Sequence, residues 1–434
     1  MASSIAALAL LASCSSPSAP STRGPGQSVA SPYAASCASP GIAAPCYNAL
    51  QLEEAYDLKP LYAKGLNGKG TTVVVLAGKS PATLGSDLRA FDQAFHLPAL
   101  KFSVVSLGGP DDRFESGARG EIEVTLDTEA VHTIAPGANI VVLVVPLTTD
   151  PSSLAPQATA VRYAAAHHLG QIVTTSLGNL GEAALGTATI ANLHQDFQYA
   201  AVQHLSVIDA SGDFGTSSRM TLSVNGPGCC FTVPMRGYPA SDPLVTAVGA
   251  TRLHLDASGK RISPDTVAND PGVASGGGLS TVFDRPSYQD SVASVVGNHR
   301  GGPDISMNGD IDSGFELYGS AVTQNRSLGQ GWGSVGGTSE SAPLFAGIAA
   351  IADQAAGRPL GPLNPYLYRA YQLPGHGGIV PVTSGNNTVA IESSNGTPVA
   401  VPGYAATDGF NLATGLGTVD AAKLVMALTH LARD

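Results

Sequence analysis

The run GGTSESAP, from Gly336 to Pro343, sets Ser339 on a glycine turn directly before the apolar run LFAGIAAIADQAAG. A serine there has two uses. Its hydroxyl can cap free backbone N–H groups at a helix start. It can also act as an exposed nucleophile beside the positive end of the helix dipole. The second use needs a partner that takes the hydroxyl proton.

None of the ten histidines stands in a glycine-flanked catalytic setting. His132, in EVTLDTEAVHTIAPG, comes nearest, but the acids of that segment are more informative. Glu123 and Asp127 fall four positions apart on an expected helix that ends before Pro136 and Gly137. At about 100° per residue they lie about 40° apart on one face, and His132 lies about 180° from Glu123. His132 therefore reads as a packed or solvated helix residue. On an exposed helix two such carboxylates repel by a few tenths of a kcal/mol. In a cleft one carboxyl keeps a proton, bonds the other and raises the pair's apparent pKa. That provides a base at mildly acidic pH, where histidine is already protonated.

Asp213 follows the apolar run LSVID on a Ser-Gly turn, in ASGDFG. It reads either as a turn or capping aspartate, or as a protonated acid that donates to the oxyanion formed in acyl transfer.

These residues need a frame. Val/Ile-rich runs at 71–78, 138–146, 171–179 and 205–213, with LVTAVGATRL later, alternate with helical stretches such as LGSDLRAFDQAF and IANLHQDFQYAAVQ. Continuous apolar strands separated by helices predict an α/β fold, a mainly parallel sheet covered by helices on both faces. Ligands in such sheets sit beyond the strands' C-terminal ends. Residues 46–434 read as one such domain, with an irregular, loop-rich part near 360–420.

Composition narrows the class. The chain has 434 residues, 43% of them apolar, which makes it globular. Only 13% are charged, and the net charge of −11 argues against a nucleic-acid partner. Low charge density leaves few ion pairs to lose in acid. Residues 1–14, MASSIAALALLASC, read as an export signal whose Leu11-Ala12-Ser13-Cys14 end resembles a bacterial lipobox, with Cys14 lipidated. No Lys or Arg precedes its apolar core. Residues 15–45 form a Ser/Pro/Gly-rich tether. The chain is thus expected outside the cell or on the outer face of its membrane, touching lipid only through Cys14. Cys37, Cys46, Cys229 and Cys230 remain, and either local pairs or cross-pairing between the two regions is open.

Together the motifs resemble the sedolisin-type serine-carboxyl peptidases, acid-active relatives of subtilisin. EVTLD is similar to the family's Glu-x-x-x-Asp helix, and GGTSESAP to its serine motif. Ala210-Ser211-Gly212-Asp213 resembles the oxyanion turn, with an acid where subtilisin-like enzymes carry an amide. YPASDPLVTAVGAT, SGGGLSTVF and GPDISMNGD are similar to further family segments, in the expected order. The resemblance covers about residues 46–434. It implies a subtilisin-like three-layer fold, Ser339 as nucleophile, Glu123 as general base, Asp127 orienting Glu123, and Asp213 stabilising the oxyanion. It places substrate backbone on Ser176, Leu177 and Gly178, likened to an edge strand, and offers Ser275, Gly276 and Gly277 as a second wall. It also implies a monomer that endoproteolytically cleaves polypeptides at acidic pH.

Two departures stand out. Family members commonly carry a long prodomain, and only the tether lies ahead of the catalytic region here. The stretches PVTSGNN and TDGFN match the family calcium site, but Pro381 and Asn411 replace its two acids and Asp408 is shifted by three positions. A hard Ca²⁺ ion needs anionic oxygen, so no metal and no cofactor are expected. The competing reading is a lipid-anchored pseudoprotease that binds peptides or a partner without cleavage. A metal-dependent hydrolase lacks its HExxH motif.

Overall fold

The computed structural model describes residues 46–108, 118–146, 154–222, 227–324 and 331–433. The signal, the tether and Cys14 lie outside the described residues. Among those residues no helix is long and apolar enough to cross a membrane.

Eight strands form the central sheet: β1 Thr72–Ala77, β2 Lys101–Ser106, β3 Asn139–Val144, β4 Ile172–Thr175, β5 Ser206–Ala210, β6 Val245–Arg252, β7 Thr266–Val267 and β8 Ile305–Asn308. The order is β7-β6-β5-β4-β1-β3-β2, with β8 also paired to β6. All pairings are parallel except β7 with β6. A ninth strand, β9 Gly314–Tyr318, belongs to a separate three-stranded sheet.

The helices that matter for the site are α1 Ala49–Ala55, α2 Leu84–Phe95, α3 Ala118–Ile134, α4 Leu154–Ala166, α5 Thr187–Val202, α6 Thr338–Ala356 and α7 Ala421–Leu431. Strand period decides which core each side chain enters. Val73, Val75 and Ala77 of β1 point to a core shared with α3, α6 and α7. Val74 and Leu76 point to the opposite core, built with α4 and α5. Each fully buried aliphatic side chain contributes about 1.5–3 kcal/mol, so a strand apolar on both faces is stable only between two helix layers. The expected three-layer α/β architecture is present.

Two details differ from the expectation. The strands stop short of their apolar runs: β4 ends at Thr175 and β5 at Ala210. Their polar and glycine continuations leave the ladder and form the rim at the sheet's C-terminal end. In addition, β4 is interior, paired to β1 and β5, and is not an edge. The region near 360–420 is irregular as expected, with one short helix and small two-stranded ribbons.

Candidate active site

Ser339 is the second residue of α6. The helix is not capped by Ser339, because Gly337 occupies the N-cap position and makes no side-chain cap. The cap comes from across the molecule. Asp213 Oδ1 accepts from the Thr338 backbone N–H at 2.7 Å and from Thr338 Oγ1 at 2.8 Å. Gly337 has φ +104°, and a Cβ there would lie 3.2 Å from Asp213 Oδ2, so only glycine brings helix and acid this close. Thr338 Oγ1 also accepts from Gly212 N–H at 3.1 Å. These bonds fix the turn after β5 to the serine turn.

Pro343 shapes the surroundings of Ser339. Proline has no N–H, so the Ser339 carbonyl four positions earlier has no helical donor from it. Ser176 Oγ reaches that carbonyl at 3.4 Å and Asp127 Oδ1 at 2.9 Å. Ser176 therefore connects the α3 acids to the start of α6. Asp127 is buried while Glu123, one turn earlier, is partly exposed.

Glu123, Asp213 and Ser339 all line one open cleft of about 90 Å³. Ser176, Leu177 and Gly178 line it as well, just past the end of β4. Its far wall is Phe214, Ser217, Ser218, Arg219 and Leu222, residues that sequence reasoning did not single out. Only their position after the ASGD turn could have marked them. Beneath the rim, Asp209 is buried in β5, and burial pushes its carboxyl well above the usual range against the opposing charge of Arg236. Arg236 donates to the Ser211 carbonyl at 3.3 Å, and its own pKa is lowered by burial to about 10.

Ser275, Gly276 and Gly277 are buried and do not line the cleft. Ser275 Oγ donates to Ala413 O at 2.8 Å and accepts from Ala250 N–H at 3.0 Å. A Cβ on Gly276 would lie 2.3 Å from the Ser211 carbonyl. This segment braces the Asp213 turn from behind, where close backbone approach excludes a side chain. His132 is fully buried, with Nε2 3.1 Å from Asp92 Oδ1 and 2.9 Å from Pro98 O, away from the cleft.

Cys229 and Cys230 are disulfide-bonded to each other, which excludes cross-pairing of either with the N-terminal region. Cys46 is also disulfide-bonded. At the segments matched to a calcium site, Asn411 Nδ2 donates to Val382 O at 3.3 Å and Thr407 O at 3.4 Å. Its Oδ1 accepts from Ala413, Thr414 N–H and Thr414 Oγ1. A donor thus faces carbonyl oxygens, and the amide oxygen is already occupied. Asp270, Asp310 and Asp312 also come together, but Arg252 sits among them, 2.7 Å from Asp312 Oδ2 and 3.7 Å from Asp310 Oδ1.

A parallel α/β sheet with a helix-borne serine, two acids on a neighbouring helix and a third acid at a strand end defines a subtilisin-like hydrolase frame. Residues 116–373 match the subtilase family. Kumamolisin of Bacillus sp. (strain MN-32) is 32% identical over 393 residues, covering 88% of this chain and 63% of that protein. Tripeptidyl-peptidase 1 of Rattus norvegicus is 30% identical over 370 residues, covering 80% and 58%. The solved Pseudomonas sedolisin, a serine-carboxyl proteinase complexed with two molecules of pseudo-iodotyrostatin, superposes with a TM-score of 0.73 at 25% identity. That superposition covers 90% of this chain and 99% of the sedolisin chain. The chain belongs to the subtilase family, and within it is similar to sedolisin-type serine-carboxyl peptidases. It spans less than two thirds of the length of these two curated relatives.

Proposed function

We propose that the chain is an endopeptidase that cleaves polypeptides under acidic conditions. Ser339 is the nucleophile, Glu123 the general base, Asp127 the group that orients Glu123, and Asp213 the oxyanion donor. The observation that carries this reading is the convergence of Glu123, Asp213 and Ser339 on one cleft, with Asp127 tied to the nucleophile's helix through Ser176.

Ser339 Oγ attacks the scissile carbonyl carbon as its proton passes to Glu123. Asp213 already accepts two bonds at Oδ1, which leaves Oδ2 to hold the proton it donates to the developing oxyanion. Collapse breaks the C–N bond, and the departing amine takes the proton from Glu123. Water, activated by the same carboxylate, then releases the acyl group. Ser176 acts through its hydroxyl, while Leu177 and Gly178 offer backbone to the substrate. The acidic range is supported by carboxyls such as Glu129, Asp209 and Glu340, which burial holds well above their usual values. Such groups favour a fold that works where they stay neutral.

Three further readings belong to the same proposal: a monomer, exported and lipid-anchored at Cys14, without tightly bound calcium because Asn411 places a donor where a cation needs oxygen. The test is hydrolysis of a denatured protein at about pH 4, with and without chelator. Binding of that protein without cleavage would turn the reading to the pseudoprotease. Labelling of the mature protein by a fatty-acid analogue through Cys14 tests the anchor, and an unlabelled soluble product rejects it.

A further inference from the structure

Glu340 follows Ser339 in the chain and points the other way. One helical step of about 100° turns Ser339 to the cleft and Glu340 to the floor beneath it. Glu340 is fully buried. Oε1 accepts from Asn308 Nδ2 at 2.6 Å, and Oε2 accepts from the Phe315 backbone N–H at 3.2 Å. Asn308 closes β8 and Phe315 lies in β9. A single carboxyl thus fastens the first turn of α6 to two different sheets.

The anchor is specific. Asn308 Oδ1 accepts from Ser313 Oγ at 2.7 Å, its Nδ2 also donates to Ser313 O, and its backbone N–H donates to Tyr56 Oη at 2.7 Å. Every polar group of Asn308 around Glu340 is therefore committed. Gly337 N–H to Gly309 O at 2.6 Å and Ser341 Oγ to Asn308 O at 2.8 Å complete the same turn.

Among the described residues no cation balances the carboxyl. The titratable groups facing it are Asp310, in the loop after β8, and Tyr56, after α1. Arg261 lies over the Tyr56 ring at 5.3 Å, but it is paired with Asp265 at 2.9 Å. Across the turn, Asp213 is bonded to Thr338, and Asp127 reaches Ser339 through Ser176. All of these neighbours are acids, phenol or an already paired guanidinium. Burial pushes the Glu340 carboxyl well above its usual range, and the bonds from Asn308 and Phe315 only partly oppose that.

We infer that Glu340 is a positioning residue for Ser339: its neutral carboxyl holds the nucleophile's turn on β8 and β9, and its ionisation as pH rises loosens that turn. This rests on the peptidase reading for its consequence in turnover. It adds a limit distinct from the chemistry of the cleft, because a charge formed under Ser339 displaces the turn itself.

The sign follows from the proton balance. The folded state keeps the Glu340 proton over a range in which the unfolded chain has lost it. Stability is therefore fully present in acid and falls as pH rises toward the folded-state value. Glu340→Gln keeps an acceptor for one bond and cannot ionise. In a Ser339→Ala background, which prevents self-cleavage, the thermal midpoints of Glu340→Gln and its parent are compared between about pH 4 and about pH 7. Their difference should widen by about 3 °C or more in favour of Gln. A difference that stays constant with pH overturns the inference, because a merely structural contact gives an offset without a slope.

With Ser339 intact, Glu340→Gln should keep turnover within about threefold of the parent at about pH 4. It should also recover more activity after a stay near neutral pH. Equal recovery would likewise overturn the inference. Absence of turnover in the parent would sink the peptidase reading alone, since the thermal comparison still decides whether Glu340 titrates within the turn. Glu340→Ala, if it folds, should lower kcat by about tenfold with little change in KM.

Discussion

The two halves of α3 carry the same kinds of side chain to opposite ends. Glu123 lines the cleft, and Asp127, buried one turn on, is held by Ser176. Glu129 and His132, a turn or two further on, are fully buried: Glu129 accepts from Tyr318 N–H, and His132 Nε2 bonds the Pro98 carbonyl with Asp92 Oδ1 3.1 Å away. Burial pushes Glu129 well above the usual range, and nearby Asp87 and Asp92 add to the shift. Under the proposed mechanism an acid on this helix takes part in the reaction only where its face meets the cleft that Ser339 lines. On the other face it becomes a neutral part of the core. The contrast separates two effects of acidity, one on the reaction and one on the fold.

The strongest way to break this contrast is to truncate the cleft face. Ser339→Ala and Asp213→Ala should each reduce turnover by about a thousandfold or more, with the thermal midpoint nearly unchanged for Ser339→Ala. Doubling the substitutions should cost little beyond the worse single one, because the groups act as a unit. Loss of folding in Ser339→Ala, or retained activity in either variant, would show that the cleft face is not the reactive one.

A milder cut tests the connection between the two helices. Ser176→Ala removes the bonds to Asp127 and to the Ser339 carbonyl that Pro343 leaves without a helical donor. It should lower kcat by about tenfold and leave KM almost unchanged. A change confined to KM would make Ser176 a substrate contact.

The buried face should answer to pH in stability alone. Glu129 keeps its proton in the fold above the ordinary value of 4.5, so its contribution is lost as pH rises beyond that value. Glu129→Gln should flatten this decline, with a gain of about 1 kcal/mol or more near neutral pH, and leave turnover in acid intact. The smallest effect expected is that of calcium. Added calcium or a chelator should leave the thermal midpoint in place, since a ion bound only to the fold would raise it. A calcium-dependent rise would show that carbonyls or Asp408 build a site despite Asn411.

Much of this was readable in the residues. The β-branched runs predicted the parallel sheet because their apolar character is set by burial on both faces. The four-residue spacing brought Glu123 and Asp127 to one face because helix geometry is local. What escaped was the set of relations across the chain. Asp213 caps a helix 125 positions away through Thr338, and no local pattern encodes that partner. Ser275, Gly276 and Gly277 read as a cleft wall because glycine permits close approach. The same property let them pack behind the Asp213 turn. Ser176 was legible as a candidate substrate contact, but its bond to Asp127 depends on how α3 sits beside β4. The far wall from Phe214 to Leu222 has no periodicity to announce it.

The central claim is that a carboxylate, Glu123, does the work that histidine does in other serine peptidases. The most direct measurement is the pH profile of kcat/KM on a peptide substrate, for the parent and for Glu123→Ala. Activity should be greatest at about pH 3–5, fall toward neutrality, and drop by orders of magnitude across the whole range in Glu123→Ala. A maximum near about pH 8 that survives Glu123→Ala would contradict the account, because it would require a histidine base that the cleft does not contain among its described residues.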